Sequence, residues 1–140
     1  MQDPLARYPG YVLRRASAAA LANLNERLEP LHLRHADVAL LMLIDAQPGV
    51  SQSQAGRILD IQRANMVPFI ARLEKQGLIE RQQIDGRSRA LQLTPNGQSI
   101  LTQARQRVDD YEMALLNQVP ASLRAHVLPI LMALWGDSAP

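Results

Sequence analysis

Apolar residues recur at helical spacing along most of this chain and alternate in one short stretch. Leu13, Ala16, Ala20, Leu21, Leu24, Leu28 and Leu31 form one stripe, which predicts an amphipathic helix over residues 11–29, ended by Pro30. Residues 35–46 are apolar on nearly every side through Val38, Ala39, Leu40, Leu41, Met42, Leu43 and Ile44, the pattern of a central helix with several packing neighbours. After the turn at Gln47-Pro48-Gly49, Ser51-Gln52-Ser53-Gln54 reads as a capping box opening a short helix over residues 52–60. A further helix is expected over residues 62–76, with Val67, Ile70 and Leu73 inward and Gly77 as its left-handed stop. Two short helices joined this tightly predict a helix-turn-helix.

Past Gly77 the period changes to two. Residues 78–84 and 88–93 alternate around Asp85-Gly86-Arg87, which predicts a β-hairpin with a basic tip. Thr94 then caps a long helix with Pro95 at its first position and a stripe of Ile100, Ala104, Val108, Tyr111 and Leu115. Pro120 separates it from a last helix over residues 121–135, with Leu123, Val127, Ile130, Leu131 and Leu134 on one face. The fold class is therefore mainly α with a small β-hairpin. Apolar stripes on the long and last helices exceed what one small core covers, and such surface marks an interface.

At 140 residues, 47% apolar and 20% charged, the chain fits one globular domain. Its organisation reads as an N-terminal helix (1–34), a middle region (35–94, with the helix-turn-helix at 51–76 and the hairpin at 78–93) and C-terminal helices (95–140). No stretch is long and apolar enough for a membrane span, and the start Met1-Gln2-Asp3-Pro4-Leu5 lacks the pattern of a secretory leader, so the expected location is cytoplasmic. The absence of cysteine excludes disulfides, thiolate metal sites and thiol switches. His32 and His35 have no matching ligand pair nearby and His126 stands alone, so no metal or other cofactor is expected. No phosphate loop or catalytic dyad is present, and the chain does not read as an enzyme. Net charge is +2, yet residues 51–93 hold seven Lys or Arg against four Asp or Glu, and fourteen of the fifteen basic residues are Arg. Arginine suits bidentate contact with phosphates and guanine edges.

The segments Ser51-Gln52-Ser53-Gln54-Ala55, Arg72-Leu73-Glu74-Lys75-Gln76-Gly77-Leu78-Ile79-Glu80-Arg81 and Asp85-Gly86-Arg87-Ser88-Arg89 with Leu91-Gln92-Leu93-Thr94-Pro95-Asn96-Gly97 behind it resemble the MarR family of bacterial transcriptional regulators. The resemblance implies a winged helix-turn-helix with flanking dimerisation helices, a homodimer, and a pseudo-palindromic double-stranded DNA operator. The helix from Gln62 would enter the major groove, presenting Gln62, Arg63 and Asn65 to base edges. By the same resemblance Arg87 would enter the minor groove, Arg89 or Arg81 would contact phosphate or brace Asp85, and Asp85-Gly86 would shape the wing. Pro68 departs from a regular recognition helix. Either the helix bends there, or Asn65 is the N-cap, Pro68 falls in the first turn, and Asn65, Met66 and Arg72 gain as readers.

Members of the family often repress transcription until a small anionic or aromatic effector binds. Tyr8, Tyr11, Arg14, Arg15, His32, His35 and Tyr111 are the candidates for such a cavity, as they bring phenol, imidazole and guanidinium groups to the apolar helices. Arg63-Ala64-Asn65-Met66-Val67-Pro68 is similar to regulators of aromatic-acid catabolism, some of which respond to hydroxycinnamoyl-coenzyme A thioesters. Two alternatives stay open: a winged-helix module that binds a protein partner, and an activator that works without ligand.

Overall fold

The computed structural model describes residues 2–86 and 89–140, so Arg87 and Ser88 at the hairpin tip lie outside the described residues. Six helices and one hairpin follow in the order α1 (Pro9–Leu28), α2 (His35–Ala46), α3 (Gln52–Ile58), α4 (Arg63–Lys75), β1 (Ile79–Gln83), β2 (Arg89–Leu93), α5 (Pro95–Asn117) and α6 (Arg124–Trp135). Short 3₁₀ turns occupy Glu29–Leu31, Ala121–Leu123 and Gly136–Ser138.

The centre is α2. Val38, Leu40, Leu41, Leu43 and Ile44 are all buried, and they join Leu28 of α1, Ala55 of α3, Met66, Ile70 and Leu73 of α4, Ile79 and Leu91 of the strands, and Leu101 and Ala104 of α5 in one core. Polar ties fix its neighbours around it. The Arg105 guanidinium of α5 meets Asp45 of α2 at 2.6 Å, and Arg107 donates to the Arg27 carbonyl near the end of α1 at 3.1 Å.

The hairpin pairs antiparallel, Ile79 opposite Leu93 and Gln83 opposite Arg89. A single bridge between Ser51 and Ala90, with the Leu91 N–H donating to the Val50 carbonyl at 2.8 Å, fastens the hairpin to the residue before α3. Thr94 is the hinge between hairpin and α5. Its hydroxyl accepts the Gly97 N–H at 2.9 Å and donates to the Gly77 carbonyl at 2.5 Å, while its own N–H reaches the Leu78 carbonyl at 3.1 Å. Gly97 sits so close that a Cβ there would lie 1.9 Å from the Leu78 carbonyl oxygen. Gly77 has φ +72°, the left-handed conformation expected of a helix stop.

Three expectations are corrected. Val67 is exposed, because α4 starts at Arg63 and turns its buried stripe through Met66, Ile70 and Leu73, one residue and about 100° away. Helix α3 ends at Ile58, since Asp60 takes φ 53°, outside the helical region. The final segment divides into a 3₁₀ turn and α6, and the Arg124 side chain closes the end of α5 by donating to the Val119 carbonyl at 2.9 Å.

Helix α6 contributes no buried residue. Leu123, Leu128, Ile130, Leu131, Leu134 and Trp135 are all exposed, as are Leu13 and Leu21 of α1 and Met113 and Leu116 of α5. Val127 is half-buried.

Gly97→Ala is expected to lower stability by about 1–3 kcal/mol, because the obstacle is a backbone carbonyl already engaged by Thr94. Urea unfolding at fixed protein concentration measures it, and an unchanged midpoint would contradict the close packing of α5 on the β1 entry.

Candidate nucleic-acid interface

The helix-turn-helix is built by local chemistry. Ser51 Oγ accepts the Gln54 N–H at 3.2 Å and Gln54 Oε1 accepts the Ser51 N–H at 2.9 Å, so the capping box is formed and starts α3 at Gln52. The chain then reverses within four residues. The Ile61 N–H donates to the Gly56 carbonyl at 2.8 Å, and a Cβ at Gly56 would come within 3.1 Å of Met66 Cγ. Only a residue without a side chain permits that approach of α3 and α4 without displacing Met66.

Helix α4 begins at Arg63 with Gln62 as its N-cap, and the Gln62 carbonyl accepts the N–H groups of Asn65 and Met66 at 2.9 and 3.0 Å. The Gln62 side chain makes no capping bond, and Gln62, Arg63 and Asn65 are all exposed around the first turn. Asn65 is therefore not the N-cap. Pro68 is accommodated as an exposed sixth residue of α4, where it offers no N–H to the Ala64 carbonyl. The first turn carries the partial positive charge of a helix N-terminus, which adds to the Arg63 guanidinium in favouring an anion.

A cleft of about 470 Å³ opens beside this turn, lined by Gln52, Ser53, Arg57, Asp60, Gln62 and Arg63, with Gly56 and Met66 beneath. Arg57 was not anticipated. It lies in the last turn of α3 and joins Gln62 and Arg63 at the cleft, a position its distance from the Ser51 cap already implied.

Of the expected groove readers, Met66 belongs to the interior, while Arg72 is exposed but paired. Met66 is only 1% exposed and packs in the core, so its side chain is not available to a base edge. Arg72 donates from Nη2 to Oδ1 of Asp37 and stacks over the Phe69 ring at 5.5 Å. Sequence reading missed Asp37, the sole charged residue buried in the described chain, because its partner lies thirty-five positions away. Arg81 is committed to Glu74, Nε to Oε1 at 2.9 Å, which ties β1 back to α4. Arg89 is exposed at the start of β2, and Asp85 and Gly86 form the bend beyond β1. Arg87, the expected minor-groove residue, lies outside the described residues.

The seven effector candidates fall in three separate places. Tyr8, Tyr11, Arg14 and Arg15 gather at the exposed start of α1: the Tyr11 hydroxyl donates to Asp3 at 2.6 Å, and the Arg14 and Arg15 guanidinium groups lie 5.8 and 5.9 Å from its ring centre. The Tyr11 hydroxyl and the Leu5 N–H hold the Asp3 carboxyl below its ordinary pKa. His32 and His35 sit at the corner between α1 and α2, some 25 Å along the helix from Tyr11. His32 lines two clefts of about 380 and 320 Å³, while the His35 N–H donates to Asn25 Oδ1 at 2.8 Å. Tyr111 is buried against the middle of α1, at a cleft of about 360 Å³ lined by Ala16, Ala20, Asn23, Arg27 and Leu115. Burial raises its phenol pKa, the Glu112 charge adds to the shift and Arg27 opposes it. One small cavity bounded by all seven residues is not present. Among the described residues no cluster of His, Cys, Asp or Glu is arranged to hold a metal, and no helix is long and apolar enough to cross a membrane.

The MarR family model matches residues 33–89, from just before α2 to the first residue of β2. No curated protein sequence matches the chain significantly. Among solved structures the chain is similar to the transcriptional repressor CouR bound to a 23-mer DNA duplex, with 28% identity, 96% of this chain and 99% of that one covered, and a TM-score of 0.88. CouR bound to p-coumaroyl-CoA matches at 28% identity over 98% of each chain, with a TM-score of 0.87. A mutant MarR from E. coli complexed with operator DNA shares the fold at 22% identity, covering 95% of this chain and 99% of that one with a TM-score of 0.81. The helix-turn-helix and first strand of the hairpin are thus similar to the MarR family model, and they are set in a fold that follows CouR over nearly its whole length.

Proposed function

We propose that the protein is a cytoplasmic, homodimeric transcriptional repressor that binds a pseudo-palindromic operator and leaves it when a small aromatic or anionic effector binds, an aromatic acyl-coenzyme A thioester being the favoured class. The observation that carries this reading is the near full-length likeness to CouR, a repressor solved both on DNA and with p-coumaroyl-CoA. It acts as a regulator rather than an enzyme.

The exposed first turn of α4 supports the DNA half of the reading. Gln62, Arg63 and Asn65 stand where a recognition helix offers its N-terminal residues to the major groove, and their donor and acceptor groups match the edges of guanine and adenine. Arg57 and Arg89 flank them as phosphate contacts. Arg87 retains the minor-groove role, on its place in the motif alone. The unburied apolar side of α6, together with α1 and the end of α5, supports the dimer, since exposed side chains on this scale mark an interface. Leu123, Val127, Ile130, Leu131 and Leu134 are its proposed contacts. For the effector, His32 is the favoured contact among the seven candidates, because one of the clefts it lines, shared with Gln76, Leu78, Asn96 and Ile100, lies where the flanking helices meet the winged region.

Selection of binding sequences from a random duplex pool, followed by displacement with a panel of aromatic acids and their coenzyme A thioesters, tests the whole reading. One enriched palindrome, released by one compound class, is the expected result. Enrichment of no sequence would overturn DNA recognition, and an enriched site insensitive to every compound would overturn the effector.

Arg63→Ala should weaken operator binding by about 1–3 kcal/mol and relax the preference at one position of each half-site, read by titration against single-base operator variants. Leu131→Glu should shift the protein toward monomer in sedimentation velocity, because dimerisation would bury an unpaired carboxylate. A dimer as tight as the parent would place the interface elsewhere.

A further inference from the structure

Asp37 is the third residue of α2 and 1% exposed, and both of its oxygens are engaged. Oδ2 accepts the Arg34 N–H at 2.7 Å, which caps α2, and Oδ1 accepts Arg72 Nη2 from α4. The same turn of α2 is held from the other side by α1: Asn25 Oδ1 accepts the His35 N–H at 2.8 Å and lies 3.2 Å from His35 Nδ1. One helix N-terminus is thus bonded both to a flanking helix and to the recognition helix.

An ion pair between a buried carboxylate and a half-exposed guanidinium is a poor source of net stability, because desolvation of Asp37 offsets the attraction. What it supplies here is direction. The apolar contacts of Met66, Ile70 and Leu73 hold α4 against the core but resist its rotation only weakly, since hydrophobic burial is non-directional. Arg72 follows Asn65 by seven residues, which on an α-helix places both on one side, about 20° apart and about 10 Å along the axis. Phe69, between them on that side, carries the Arg72 guanidinium on its ring. Fixing Arg72 to Asp37 therefore fixes the azimuth of Asn65.

Resting on the reading of α4 as the recognition helix, we infer that Asp37 and Arg72 are positioning residues for operator recognition: the ion pair sets the rotation of α4, and Arg72 acts on specificity through that rotation and not through a contact with DNA. It follows that the pair governs discrimination between operator and other DNA more than it governs attraction to phosphate.

The test compares Arg72→Gln, Asp37→Asn and the double substitution with the parent, each as folded dimer. Affinities for the selected operator and for a scrambled duplex are measured over a series of salt concentrations. Each single variant should lose operator affinity on the order of tenfold, the size of one lost base contact. Scrambled-duplex affinity and the salt slope should hold, and the double substitution should cost no more than the larger single one. A pair that serves stability alone would leave the operator-to-scrambled ratio at the parent value, which overturns the inference. An Arg72→Gln variant that weakens both duplexes and flattens the slope by about one unit, with Asp37→Asn unaffected, would make Arg72 a phosphate contact and also overturn it. If Asp37→Asn does not fold, Arg72→Gln and the double substitution, which removes both charges together, decide the matter by the same ratio. Absence of operator preference in the parent would instead refute the recognition-helix reading itself, and the inference with it.

Discussion

Burial of α2 on every side is the constraint from which the other elements take their places. A twelve-residue helix that hides Val38, Leu40, Leu41, Leu43 and Ile44 must be enclosed, and α1, α3, α4, the hairpin and α5 supply the enclosure. The arrangement leaves α2 little freedom, so residues at its ends become fixed points. Asp45 near one end holds α5 through Arg105, and Asp37 near the other holds α4 through Arg72. Helix α4 is thus carried by the core rather than by the short turn that precedes it.

The same logic extends to the hairpin. Strand pairing alone would leave a two-stranded ribbon marginally stable. Here its base is joined to Val50 and Ser51, and Thr94 and Gly97 press α5 against the residue where β1 begins. Arg81 adds a link to α4 through Glu74. The hairpin base, α4 and α5 consequently form one unit with the core, while α6 and the first half of α1 stand outside it with apolar surface uncovered.

Much of this was legible in the sequence because it rests on local rules. Ser51 with Gln54, Gly77, and Thr94 with Pro95 mark element boundaries by chemistry confined to a few residues, and each operates as expected. The helical stripes located the core helices for the same reason. What escaped depends on distance or on angle. Met66 was grouped with exposed readers because one residue on a helix changes direction by about 100°, and its close approach to Gly56 of a neighbouring helix is not visible in the local sequence. Asp37 carried the local signal of a capping residue, and nothing near it in the chain announces Arg72. The effector candidates were grouped by chemical type, and the twenty residues of α1 keep Tyr11 and His32 far apart.

The central claim is that α4 reads the major groove from a two-fold symmetric dimer. Methylation interference on the selected operator tests it most directly, because methyl groups at guanine N7 lie in the major groove and those at adenine N3 in the minor groove. The account predicts guanine methylation blocking binding in two tracts about 10 base pairs apart on one face of the duplex, one for each α4. Interference confined to adenine N3, or to a single tract, would contradict it.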